Sequence, residues 1–153
     1  MLLRFRYFRT LAALAAITSL GACSKDDPKP NPTDAVGMSW TVDGTNVTAN
    51  TAVAQASGND VIIGGATSAT GGVFLEVPKT AGTYTLTSMS AQSASYVVTP
   101  TQGASKIYDS TSGSIVVSSV SATNIIGTFT FTGTESGGTA TKTLTNGKFN
   151  VKL

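Results

Sequence analysis

Short runs in which hydrophobic and polar residues alternate fill the chain from Gly37 to Leu153, with turn residues between them about every 8–12 positions. The clearest run is Thr128–Thr132, in which Phe129 and Phe131 alternate with threonines. Successive side chains of an extended strand point to opposite faces of a sheet. We therefore predict a strand that buries both phenylalanine rings and turns its threonines towards solvent.

Similar runs recur along the same region, and none of them has the 3.6-residue period of a helix. The stronger ones are 38–42, 73–77, 83–87, 114–118 and 148–153, and the weaker ones are 46–54, 61–66, 95–99, 106–108 and 139–145. Dipeptides typical of tight turns separate them, among them Asp43-Gly44, Ser112-Gly113 and Asn146-Gly147. The pattern predicts an all-β domain, either an antiparallel β-sandwich or a flattened barrel, with about ten short strands.

The hydrophobic positions that share a phase within each run predict the core. They are Trp40, Val42, Val73, Leu75, Tyr84, Leu86, Ile115, Val117, Phe129, Phe131, Phe149 and Val151. Phe74 has the opposite phase from Val73 and Leu75, so we expect it either on the exposed face of the sheet or against a second layer.

Residues 1–22 have the features of an export signal. Three arginines, at positions 4, 6 and 9, precede an apolar run over 11–17 that is too short to span a membrane. Leu20-Gly21-Ala22-Cys23 follows and resembles the lipobox of bacterial lipoproteins. The resemblance implies that residues 1–22 are removed and that Cys23 becomes a lipid-carrying N-terminus. The alternative is an ordinary secretory signal followed by a free cysteine.

Residues 23–36 predict a flexible tether between the lipidated cysteine and the β domain. Pro28, Pro30 and Pro32 favour extended chain without regular hydrogen bonds. Ser24–Asp27 resembles the short Lys-acidic signals that send lipoproteins of the Bacteroidota to the outer face of the outer membrane. The alternative is that a soluble tether simply carries charge.

Composition narrows the chemistry of the domain. The chain has no His and one Cys, which excludes His-based triads, an intramolecular disulfide and the usual zinc sites. All arginines precede Cys23, and beyond it seven lysines face eight acidic residues. We therefore expect no nucleic-acid partner, no metal and no cofactor.

Five carboxylates remain after residue 36 as candidates for catalysis: Asp43, Asp60, Glu76, Asp109 and Glu135. A glycosidase needs two carboxylates at a suitable separation, so five carboxylates are enough to form a glycosidase site. Most of the five lie in predicted turns, where an acidic side chain commonly stabilises the turn itself. Only Asp109, which lies beside Tyr108 and near Tyr96, has neighbours that are candidates for a catalytic site. We predict a lipid-anchored cell-envelope protein that is not an enzyme and that acts by binding or structural display. The alternatives are a glycan-binding protein or an accessory subunit of an envelope complex, and a carboxylate-dependent hydrolase is the distant alternative.

Tyr96 and Tyr108 are the candidate ligand contacts, because they flank the predicted turn Thr99–Gly103. Two neighbouring rings could form a ledge for a sugar, although half-buried tyrosines with a wet hydroxyl are commoner in β-sandwiches. We expect a glycan or an envelope protein as partner, besides the membrane contacted through Cys23. Asp109-Ser110-Thr111 also resembles the short pattern at which exported Bacteroidota proteins receive O-linked sugar on Ser or Thr.

Several motifs together resemble a family of small, functionally uncharacterised lipoprotein domains of the Bacteroidota. These motifs are Trp40–Gly44, Ala81–Tyr84, Gly113–Ile115, Ile126–Phe131 and Thr145–Val151. The resemblance implies a lipobox, a short tether and a β domain over 37–153. Together with the signal at 1–23, this leads us to expect a cell-envelope protein, an outer-membrane lipoprotein that the Ser24–Asp27 signal would place on the surface. It implies no catalytic residue and no ligand.

Overall fold

The structure is a computed structural model that describes residues 36–68, 71–99 and 103–153. The predicted signal peptide, Cys23 and all but the last residue of the predicted tether lie outside the described residues. Ten strands follow one another: β1 (Gly37–Val42), β2 (Thr45–Thr48), β3 (Thr51–Ser57), β4 (Asp60–Thr67), β5 (Gly71–Pro78), β6 (Gly82–Thr87), β7 (Ser93–Val98), β8 (Lys106–Val120), β9 (Asn124–Glu135) and β10 (Thr141–Lys152). No helix in the described ranges is long and apolar enough to cross a membrane.

The strands form one antiparallel sheet that curls into a half-barrel. Its order is β2-β1-β10-β9-β8-β7-β5-β4-β3, and β6 pairs with β8 outside this path. The long strand β8 pairs with β7 through its first residues and with β6 further along. Across the curl, β3 lies close to β1 and β10. The predicted all-β class and the number of strands are confirmed, and a single curled sheet replaces the two layers of a sandwich.

The concave face of the half-barrel holds the hydrophobic core. Every predicted core residue is buried except Tyr84, which is only partly buried and bonds to Thr80 through its hydroxyl. Phe129 and Phe131 are buried with ring centroids 6.3 Å apart, while Thr130 between them is exposed. The predicted phase of this strand is confirmed.

Two predicted turns are wrong, because the structure places them inside strands. Ser112-Gly113 lies within β8, where a Cβ on Gly113 would approach the carbonyl oxygen of Thr130 to 2.2 Å. Asn146-Gly147 lies within β10, where the pairing with β9 shifts register between Leu144 and Gly147. Glycine and asparagine also mark close backbone approaches and β-bulges, so these dipeptides interrupt strands without ending them. Each pair of predicted short strands is therefore one long strand.

The strand directions define two ends of the half-barrel. β1 begins at Gly37, opposite Asn150, and runs to Val42, opposite Leu144. The chain therefore enters at one end, which we call the entry end. We call the opposite end the mouth; Asp43, Lys106, Glu135 and Lys142 lie there, at or beside the ends of β1, β8, β9 and β10.

Candidate functional site

Tyr96 and Tyr108 face each other across β7 and β8 near the mouth. Their ring centroids are 6.3 Å apart and the rings are tilted by 32°. Each residue is only 5% exposed, so the rings belong to the core and do not form an exposed ledge for a sugar. The cause is strand phase: Tyr96 alternates with the buried Ala94, and Tyr108 with the buried Ser110. The sequence predicted correctly that the two rings are neighbours, but it did not predict that both are buried.

Two ion pairs border these tyrosines at the mouth. The ammonium of Lys142 on β10 bonds to the carboxylate of Asp43, in the turn after β1. Lys106 Nζ on β8 lies 2.9 Å from Glu135 Oε1 on β9. The hydrogen bond to Asp43 raises the pKa of Lys142, and the one to Glu135 raises the pKa of Lys106. Each lysine is therefore held in its charged form by its partner.

Burial is also the main cause of a raised pKa at Tyr96. Lys142 lowers this pKa, whereas Asp43 and Tyr108 raise it further. These mutual effects place the phenol and the Lys142–Asp43 pair within electrostatic reach of one another. The mouth is thus a polar rim of two matched ion pairs over a buried tyrosine pair.

The remaining carboxylates lie apart from the tyrosine pair. Asp109 follows Tyr108 on β8 and so points to the outer face, where it accepts a hydrogen bond from Ser136. Glu76 lies 3.4 Å from the hydroxyl of Ser93, which donates to it. Among the described residues, no three His, Cys, Asp or Glu side chains gather as metal ligands would. The neighbourhood expected around Asp109 does not form.

Ser110, the candidate glycosylation residue, is buried in the folded domain. Its Oγ accepts a hydrogen bond of 3.2 Å from the backbone N–H of Ala94. A glycosyltransferase could reach this hydroxyl only if β7 and β8 separated. The neighbouring Thr111 is exposed and donates its hydroxyl hydrogen to the carbonyl of Thr132.

A groove of about 490 Å³ crosses the outer face of β8, β9 and β10, on the side away from the core. We call it the outer groove; its lining is Ser114, Val116, Thr128, Phe129, Thr130, Thr145, Asn146, Gly147 and Lys148. Sequence analysis did not find it. The alternating threonines of Thr128–Thr132 and the dipeptide Asn146-Gly147 were its signals, but they indicated only an outward sheet face and a turn.

An exposed aromatic ring lies elsewhere on the outer face. Phe74 is 44% exposed, as its phase allowed, and its ring covers Gly64, whose added Cβ would lie 3.2 Å from two ring carbons. Val53 and Ile62 are exposed on the neighbouring strands β3 and β4. An aromatic side chain that covers a glycine on the neighbouring strand stabilises the sheet, so the position of Phe74 is explained without a ligand.

These features define a small all-β domain with polar side chains gathered at the mouth and along the outer groove. Residues 37–151 match the family described as Domain of unknown function (DUF6252), and the chain belongs to that family. No curated protein and no solved structure matches the chain.

Proposed function

We propose that the protein is a lipid-anchored cell-envelope protein whose β domain acts by non-catalytic binding or structural display. Leu20-Gly21-Ala22-Cys23, preceded by a short basic and apolar segment, supports lipidation of Cys23. The membrane is then the first partner, through the acylated cysteine. The outer membrane is the proposed location, and Ser24–Asp27 supports display on its outer surface.

The observation that carries this proposal is the Leu20–Cys23 motif, and the direction of β1 supports how the anchored domain would be displayed. The tether joins the domain at Gly37, at the entry end, so the mouth lies at the far end of the half-barrel. Thirteen residues separate Cys23 from Gly37 and, fully extended, could span up to about 45 Å. A chain anchored at Cys23 would therefore have its mouth at the end remote from the tether and its outer groove on the side of the half-barrel between the two ends.

A binding role accounts for the side chains better than a hydrolase does. The segment 37–153 contains no His, Cys or Arg, the residues that most often supply proton transfer, nucleophiles and oxyanion contacts. Asp43 and Glu135 are each engaged by a lysine, and Asp109 faces away from Tyr108. These contacts favour the binding role over the hydrolase alternative. A glycan or an envelope protein remains the proposed partner.

Metabolic labelling with a palmitate analogue tests the anchor. The wild-type chain and a Ser24→Ala control should incorporate the label, and Cys23→Ala should not. Label in the Cys23→Ala chain would contradict the assignment.

Thiol labelling in intact cells tests surface display. The lipidated protein would have no free thiol, so Thr139→Cys, near the mouth, would be its one reactive cysteine. A maleimide that cannot cross membranes should react with it on intact cells. Reaction only after permeabilisation would place the domain in the periplasm.

A further inference from the structure

The outer groove gathers polar side chains that have spare hydrogen-bonding capacity. The side chains of Ser114, Thr128, Thr145, Asn146 and Lys148 make no hydrogen bond or ion pair within the described part of the chain. The hydroxyl of Thr130 donates to the carbonyl of Leu144 at 2.9 Å, which leaves its oxygen free to accept. A ligand in the groove would therefore compete with water alone for most of these groups.

Strand pairing arranges these groups in rows. Val116, Thr128 and Lys148 are direct neighbours across β8, β9 and β10, and Ser114 pairs with Thr130. With strands about 4.8 Å apart, a row across three strands spans about 10 Å. Thr128 and Thr130 are about 6.6 Å apart along β9, and Ser114 lies one strand away from Thr130. These hydroxyls therefore recur on the scale of a sugar ring, with the methyl groups of Val116 and the threonines between them.

The β-bulge in β10 completes one wall of the groove. Asn146 adopts a left-handed conformation with φ of 52°, which is unusual for a residue other than glycine. Gly147 follows; a Cβ there would lie 2.6 Å from two ring carbons of Phe129. The bulge thus turns Thr145 and Asn146 outwards while the ring stays packed against Gly147.

The charge of the outer groove is a single ammonium with no carboxylate among the lining residues. Lys106 and Lys142 are held by acids at the mouth, and Lys79 donates to the carbonyl of Gly58. Lys148, in contrast, makes no ion pair or hydrogen bond within the described residues, so it is available to an anionic group of a ligand. One lysine is too few for nucleic acid, whose binding depends on several phosphate contacts.

The sheet also argues against a peptide in this groove. An extended peptide gains most of its affinity by pairing with a free strand edge. β8, β9 and β10 each have a strand on both sides, so the groove presents side chains and not backbone edges. A ligand that is itself rich in hydroxyls fits these side chains best.

We propose that the outer groove binds a saccharide carrying an acidic group, such as a uronic acid. Lys148 pairs with the acid, and Ser114, Thr128, Thr145 and Asn146 bond to sugar hydroxyls. This inference rests on the binding role proposed above, but not on the lipid anchor.

Calorimetric titration of the full mature chain, in a detergent without a sugar headgroup, tests the site. The probes are trigalacturonate and its methyl ester, which has the same hydroxyls without the negative charge. We expect trigalacturonate to bind at least about tenfold more tightly than the ester, as a charge-assisted hydrogen bond requires. Lys148→Met should abolish this preference, and the matched variant Lys152→Met, on the same strand outside the groove, should retain it.

A second variant separates recognition from folding. Asn146→Gly removes the amide and relieves the unusual φ, so the domain should stay folded while both probes bind more weakly. The proposal is overturned if neither probe binds, if the wild type binds both probes equally, or if Lys148→Met keeps the preference for trigalacturonate. Those results would leave the acylation of Cys23 untouched, so the two proposals fail separately.

Discussion

Truncating Phe131 to alanine tests the register of the sheet. Phe131 is 1% exposed and packs beside Phe129 inside the half-barrel. Loss of a buried aromatic ring costs the transfer free energy of the ring and the cost of the cavity, together about 3–5 kcal/mol. Domains of this size have total stabilities of roughly 5–15 kcal/mol. Phe131→Ala should therefore lose a large fraction of the free energy of unfolding and lower Tm by roughly 10–20 °C.

Urea unfolding followed by circular dichroism measures this loss, and Thr130→Ala is the matched control. Thr130 is exposed, and its hydroxyl makes one hydrogen bond to the carbonyl of Leu144, so its loss should cost less than about 1 kcal/mol. The denaturant slope should be the same in all three proteins. Equal costs for the two variants, or a larger cost for Thr130→Ala, would show that the strand presents the opposite face to the core.

Two further perturbations probe backbone packing and the mouth. Gly127→Ala should prevent folding or cost more than about 2 kcal/mol, because its Cβ would lie 2.1 Å from the carbonyl oxygen of Val116. Gly138→Ala is the control and should fold normally, because the three atoms nearest its Cβ belong to the flexible side chain of Glu135. Equal expression and equal Tm for the two variants would contradict the packing. Burial raises the pKa of Tyr96 from its ordinary value of 10.0, so the folded state holds the phenol proton more tightly than the unfolded state does. The resulting stabilisation is complete below about pH 10, and it is lost as the pH rises through the folded pKa. Unfolding curves from about pH 9 to 11 should show a smaller alkaline loss of stability for Tyr96→Phe than for the wild type, and identical losses would refute the assignment.

The sequence predicted the fold class well because a two-residue period is a direct consequence of burying one face of a strand. Phe129 and Phe131 show this, and so does Phe74, which lies on the opposite face from Val73. Strand boundaries were less predictable. Asn146-Gly147 is compatible with a hairpin turn or with a bulge, and only its partners on β9 decide between them.

The mouth and the outer groove could not be predicted from the sequence, because both depend on contacts between distant segments of the chain. Asp43 and Lys142 are 99 residues apart in the chain, and no local pattern marks them as an ion pair. The outer groove likewise needs β8, β9 and β10 in register before its hydroxyls become neighbours. The tyrosine pair was predicted because its two strands are close in sequence, yet its burial depended on the curl of the whole sheet.

Intact mass spectrometry of the mature protein, purified from membranes, tests the central proposal most directly. A lipid-anchored protein should begin at Cys23 and carry the added mass of its acyl chains, with a Ser24→Ala control showing the same modification. An unmodified Cys23 thiol, or a chain cleaved at another position, would contradict the account.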